Sequence, residues 1–258
     1  VNVFPSQIET VLLKEGYSSN YQILVDRVNN SDTLDINVEM APEQFDDTVK
    51  AHAAREKALE AAISEKTRVV LINSPHNPTG VIYSRKDLTA LASLLENKSQ
   101  EYGRPIWLVA DEPYRFLAYD GAEVPSVLPL YPYAVCISSF SKNLSLPGER
   151  VGYVALSPRL REKAELMAGL TLTNRILGFV NPPVIGQHIK ALGSQVNLSV
   201  YAARRKAMAE VLRDAGYKFQ MPAGAFYFFP KAPGGDDVAF VNRLLEERVL
   251  AVPGSGFG

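Results

Sequence analysis

Cysteine is almost absent from this 258-residue chain, and so is net charge. The single Cys136 excludes an internal disulfide and fits a reducing compartment. It sits in the apolar run Tyr133-Ala134-Val135-Cys136-Ile137, where it reads as a small core residue rather than a reactive thiol. Lys and Arg number 27 against 28 Asp and Glu, a formal net charge of -1. That balance carries no electrostatic footprint for a nucleic-acid partner. No apolar run reaches bilayer length, and the first residues lack a basic-then-apolar secretory pattern. No membrane partner is therefore expected, and a cytoplasmic location is the default. Internal repeats and low-complexity tracts are also missing. What is present is an ordinary globular composition, 47% hydrophobic and 21% charged, enough for one large domain or two modest ones.

Three parts follow one another. Residues 1–57 read as a small α+β unit. Pro5 suits a first helical position, with Ile8, Val11 and Leu12 on one face behind it. Tyr21–Val25 and Leu34–Val38 read as strands around a turn at Asn29-Asn30-Ser31-Asp32. A long Ala/Glu/Lys-rich helix is predicted from about Pro42 to Ile63.

From about 66 to 156 the rhythm is α/β. Arg68–Ile72, Ile106–Ala110, Ala134–Ser138 and Val151–Leu156 read as strands, with a helix near Arg85–Tyr102. Runs this apolar predict a mostly parallel sheet covered on both faces. In such sheets ligands bind beyond the carboxyl ends of the strands. The remainder predicts helices at Arg159–Leu170, Leu198–Ala215 and Asp237–Arg248. Short strands are expected at Ala225–Phe229 and Val249–Val252.

Three polar motifs follow strands directly. They are Asn73-Ser74-Pro75-His76-Asn77-Pro78-Thr79-Gly80, Asp111-Glu112-Pro113-Tyr114, and Ser138-Ser139-Phe140-Ser141-Lys142 continuing to Pro147-Gly148-Glu149-Arg150-Val151-Gly152-Tyr153. Taken singly, each has an ordinary reading. The first is a plain turn, Asp111 a helix cap or surface charge, Tyr114 a half-buried aromatic, and Lys142 a solvated amine. His76 reads as local turn packing and Trp107 as core.

Together, in this order and at strand ends, the motifs resemble the fold-type I aminotransferases, the family of aspartate and aromatic aminotransferases. The likeness runs over about residues 58–258 and includes Gly224-Ala225-Phe226-Tyr227 and the closing Pro253-Gly254-Ser255-Gly256-Phe257-Gly258. It implies a cofactor-binding core over 58–175, then connecting helices and a partial small domain over 176–258. It also implies pyridoxal 5'-phosphate as cofactor, an amino acid and a 2-oxo acid as substrates, and a homodimer. By the same resemblance, Asp111 meets the pyridine nitrogen, and Asn77 and Tyr114 donate to the ring's phenolic oxygen. Ser139 and Arg150 take the phosphate. Lys142 bonds covalently to the cofactor and, once displaced by the substrate amine, moves the proton.

Two departures from that family stand out. Its substrate-clamping arginine belongs beyond Gly258, and its upstream Gly-rich helix start and ring-stacking aromatic are not found in residues 1–57. Those residues resemble part of the C-terminal domain of phenylacetate-CoA ligases. The match rests on Val1-Asn2-Val3-Phe4-Pro5-Ser6-Gln7-Ile8-Glu9, Tyr21-Gln22-Ile23-Leu24-Val25-Asp26-Arg27 and Asp32-Thr33-Leu34. The two resemblances meet in Ala51–Ala62 and imply a fusion of partial domains, with transamination impaired or reduced to cofactor binding; the other alternative, resting on the first fifth of the chain, is an acyl-CoA ligase accessory fragment.

Overall fold

The computed structural model describes residues 21–28, 31–38, 57, 59–188 and 196–257. They divide between two compact units, one drawn from residues 1–67 and 231–258 and the other from 68–230.

In the first unit, β1 (Tyr21–Val28) and β2 (Ser31–Val38) form an antiparallel hairpin, registered from Tyr21 opposite Val38 to Val28 opposite Ser31. Both strands extend further than their alternation predicted. Ser31 and Asp32 belong to β2 rather than to a turn, because cross-strand pairing continues through them. The helix behind Pro5 lies outside the described residues, as does most of the helix expected from Pro42.

The second unit is built on a four-stranded sheet. Its strands are β3 (Val69–Asn73), β4 (Trp107–Asp111), β5 (Ala134–Ser139) and β6 (Gly152–Leu156), in that order across the sheet. The first three are parallel and β6 is antiparallel to β5. The expected mostly parallel α/β architecture is therefore present. Between β3 and β4 runs α1 (Arg85–Glu101), opened by a capping box in which Ser84 and Asp87 exchange hydrogen bonds. Its apolar stripe buries Leu88, Leu91, Ala92 and Leu95. Ser99 ties the helix to the start of β4, accepting from the Ile106 amide at 3.0 Å and meeting the Tyr131 hydroxyl at 3.0 Å.

Coverage of the sheet differs between its faces. Leu108, Ala110, Ala134 and Cys136 are buried, whereas Val69, Leu71, Ile137 and Val154 each keep about 40% of their surface exposed. Side chains alternate across a strand, and the register sets Asn73 beside Asp111 and Asp111 beside Ile137. The exposed residues therefore share one face with Asn73, Asp111 and Ser139. A continuous apolar run reports that both faces are apolar, not that both are covered.

After β5 come α2 (Phe140–Asn143), then α3 (Lys163–Ile176), α4 (Val184–Gln187), α5 (Leu198–Asp214) and, in the first unit, α6 (Asp237–Glu246). α3 begins four residues later than Arg159. The Ser157 hydroxyl takes the Arg159 amide, and the Arg159 guanidinium reaches back to the Leu130 carbonyl. Neither Ala225–Phe229 nor Val249–Val252 forms a strand. Ala225 stands at φ 59, a left-handed conformation that breaks an extended run, and only Gly224 makes an isolated bridge, to Ala118. Gly80 and Gly224 are close-approach positions: a Cβ on Gly80 would lie 2.3 Å from that of Pro222, and one on Gly224 2.6 Å from that of Pro75. No described helix is long and apolar enough to cross a membrane.

Leu95 is fully buried, so Leu95→Ala is expected to lower unfolding stability by about 2–5 kcal/mol in urea titration. A loss below about 0.5 kcal/mol would show that α1 is not part of the core.

Candidate functional site

The carboxyl ends of β3, β4 and β5 release their chains side by side, and each release carries a polar motif. Asn73, the last residue of β3, bridges two of them. Its amide nitrogen donates to the Asp111 carbonyl at 2.9 Å and to the Asp111 carboxylate at 3.1 Å. Its amide oxygen accepts from the backbone N–H of Asn77 at 2.7 Å. Asp111 and Asn77 are thus fixed relative to each other by one side chain. The Asn77 amide oxygen is buried with no partner among the described residues. His76 bonds to Thr79 at 2.8 Å inside its own turn, as local packing predicted.

Burial holds Asp111 above the usual carboxylate range and nearby Glu112 adds to this, while the Asn73 hydrogen bond opposes both. Glu112 itself points the other way. It is 2% exposed, forked by Arg115 at 2.5 and 2.9 Å, and accepts from the Cys136 thiol at 3.0 Å. Burial and this carboxylate push Cys136 up to about 12, so it is an inert core thiol, as its apolar run indicated.

Tyr114 is 2% exposed, and its hydroxyl meets that of Tyr227 at 2.5 Å. Burial, then this contact, raise its pKa far above the ordinary phenol range, so it remains a neutral hydroxyl. Its ring packs edge-on to Phe226 and Tyr227, with centroids at 5.3 and 5.5 Å. Lys142 lies on α2, which Ser139 caps by accepting from the Ser141 amide. The Lys142 Nζ stands 5.8 Å from the Tyr114 ring centroid and 5.6 Å from that of Phe226, within cation–π distance of both. Trp107 packs edge-on against Tyr133 at 5.5 Å.

Two groupings emerge: Asp111 with Asn73 and Asn77, and Lys142 with Tyr114, Phe226 and Tyr227. A cavity of about 540 Å³ opens at Lys142, walled by Tyr201, Arg204, Phe226 and Tyr227 among others. Asn77, Asp111, Ser139 and Arg150 are not on its wall. Arg150 is exposed, at φ 51, and its guanidinium donates to the Pro147 carbonyl at 3.0 Å. Gly152 lets the returning strand pass close to β5, since a Cβ there would fall 2.7 Å from the Ser138 carbonyl.

Asn73, Phe226 and Tyr227 were not singled out as site residues by sequence. A polar residue closing an apolar strand was a usable signal for Asn73. Nothing local distinguishes Tyr227 from core packing, since its partner Tyr114 is remote in the chain.

The model of the family "Aminotransferase class I and II" matches residues 43–258. That of the "AMP-binding enzyme C-terminal domain" matches residues 1–77. Within the shared stretch, β3 pairs in register with β4, so from Val69 the chain is part of the larger sheet. An aspartate aminotransferase of Thermotoga maritima is 36% identical over 205 residues, 77% of this chain and 51% of that protein. One from Bacillus subtilis is 34% identical, over 78% of this chain and 53% of its own. The crystal structure of an amino transferase from Eubacterium rectale superposes with a TM-score of 0.74 at 45% identity, covering 78% of this chain and 51% of that one. The chain spans about half the length of the curated relatives it matches.

Because its pKa is raised, Asp111 favours the folded state only while protonated. That contribution is full below the ordinary carboxylate value and is lost as pH climbs through the raised one. Asp111→Asn, without ligand, is therefore expected to be more stable than the parent at pH 7, with the gap closing as pH falls into the ordinary carboxylate range. Thermal unfolding across pH checks this; a gap that is absent or independent of pH contradicts it.

Proposed function

Because the chain belongs to the class I and II aminotransferase family, we propose that it binds pyridoxal 5'-phosphate and transfers an amino group between an amino acid and a 2-oxo acid. The observation that carries this reading is the Asp111–Asn73–Asn77 network at the ends of adjacent strands. A half-buried carboxylate with a raised pKa and an amide as its hydrogen-bond donor is suited to a cationic N–H, which would lower that pKa and complete its pairing. A pyridinium nitrogen is such a group. The neutral phenol of Tyr114 and the amide nitrogen of Asn77 are donors that suit a ring oxygen. The residues present therefore fit the cofactor.

When bound, the cofactor supplies an electron-poor ring that accepts the electron pair left at the substrate's α-carbon. Asp111 would hold the proton on the ring nitrogen. Asn77 and Tyr114 would orient the ring by donating to its oxygen, with the Tyr227 hydroxyl meeting that of Tyr114. Lys142 would be the cofactor's covalent anchor and, when its amine is free, the base that takes the proton from the α-carbon. Ser139 and Arg150 would hold the phosphate. The rings of Tyr114 and Phe226 flank the Lys142 amine. The names of the relatives favour aspartate as amino donor. A homodimer also accords with the exposed apolar stretch on and after α3, where Leu172, Ile176, Phe179 and Ile185 are each at least 59% exposed.

Borohydride treatment after incubation with pyridoxal phosphate is expected to fix one label per chain, mapped to Lys142 by peptide mass and lost in Lys142→Ala. A label that persists in Lys142→Ala contradicts the assignment. Production of oxo acid from aspartate then distinguishes turnover from binding alone.

A further inference from the structure

Two arginines follow one another on α5 at the cavity beside Lys142, and they are in opposite states. Arg205 is engaged. Its Nε donates to the Pro222 carbonyl at 2.8 Å, its Nη1 to the Asp120 carboxylate at 2.9 Å, and its guanidinium lies 4.7 Å from the Tyr119 ring centroid. Arg204 makes no hydrogen bond or ion pair among the described residues, yet it lines that cavity. It also lines an adjoining one of about 320 Å³, together with Asn143, Ser145 and Asn197. Asn143 follows Lys142 directly and is 6% exposed, and neither its amide nitrogen nor its amide oxygen has a partner among the described residues. A buried amide left unpaired is costly, so such a group calls for a ligand.

We propose that Arg204 and Asn143 form a seat for a carboxylate of the amino-acid substrate, next to the amine of Lys142. The guanidinium offers a planar fork of donors that matches a carboxylate's two oxygens. The Asn143 amide adds a buried donor with no partner among the described residues. Tyr201, Phe226 and Tyr227 wall the space on the Lys142 side. The joint space is of the size that holds a small organic ligand. Inorganic phosphate shares the anionic chemistry, but the apolar aromatic wall suits a carbon skeleton attached to the anion. The seat rests on the aminotransfer reading for its place in catalysis, though not for its binding chemistry.

Succinate is the probe, a dicarboxylate with no amine to react at the cofactor. Isothermal titration of the whole chain is expected to show succinate binding that weakens at least tenfold (about 1.4 kcal/mol) in Arg204→Gln. Arg204→Lys should recover part of it. Lys206→Gln, on the exposed side of the same helix, should leave it unchanged. Inorganic phosphate at equal concentration should not displace succinate, and Arg204→Gln should retain the borohydride-fixed label on Lys142. Equal affinity in Arg204→Gln and the parent overturns the seat, as does an absence of binding in the parent. Displacement by phosphate, or loss of the Lys142 label in Arg204→Gln, reassigns Arg204 to a phosphate and overturns it too. If the parent binds succinate through Arg204 but takes no label, the aminotransfer reading fails and the carboxylate seat stands.

Discussion

The parallel register of β3, β4 and β5 is the constraint on which the site depends. Because Asn73 lies beside Asp111, and Asp111 beside Ile137, three chains leave the sheet at nearly the same height. Parallel strands need long crossovers, so the three motifs are far apart in sequence and adjacent in space. Asn73 converts that adjacency into a fixed geometry. With one amide it holds the Asp111 backbone, the Asp111 carboxylate and the Asn77 backbone. The same strand face carries Ser139, so the carboxylate and the entry to the lysine-bearing turn project to one side of the sheet.

Polarity is divided between neighbouring carboxylates by the alternation of a strand end. Glu112, next to Asp111, is drawn to the opposite side and saturated by Arg115 and the Cys136 thiol. Its charge is spent on structure. Among the described residues the Asp111 carboxylate receives only an amide, remains half-buried, and keeps its capacity for a cationic partner. The same contrast recurs on α5, where Arg205 is held by local contacts and Arg204 has no hydrogen-bond or ion-pair partner among the described residues. In both pairs the residue with fewer protein contacts is the one with chemistry to offer.

Much of this was legible in the sequence. Four apolar runs gave the strands to within one residue, because each is a short continuous hydrophobic stretch bounded by polar turns. The three motifs gave away the strand ends. The β-like run Ala225–Phe229 misled, because its aromatic pattern serves packing around Tyr114 rather than a ladder. Ala225 donates to the Leu117 carbonyl and accepts from the Tyr119 hydroxyl, and these contacts hold its left-handed backbone. The pairing of Tyr114 with Tyr227 was out of reach for the same reason: it joins segments 113 residues apart. Arg150 illustrates the opposite limit. Its motif position was plain, but where a long exposed side chain rests is decided by a local carbonyl, here that of Pro147.

The central claim is that Asp111 and Lys142 serve one and the same cofactor ring. A crystal structure of the chain grown with pyridoxal phosphate tests it most directly. The account predicts density continuous with the Lys142 side chain, the ring nitrogen within hydrogen-bonding distance of the Asp111 carboxylate, and the ring oxygen facing Asn77 and Tyr114. A cofactor bound elsewhere, or one joined to Lys142 with its ring nitrogen turned away from Asp111, would contradict it.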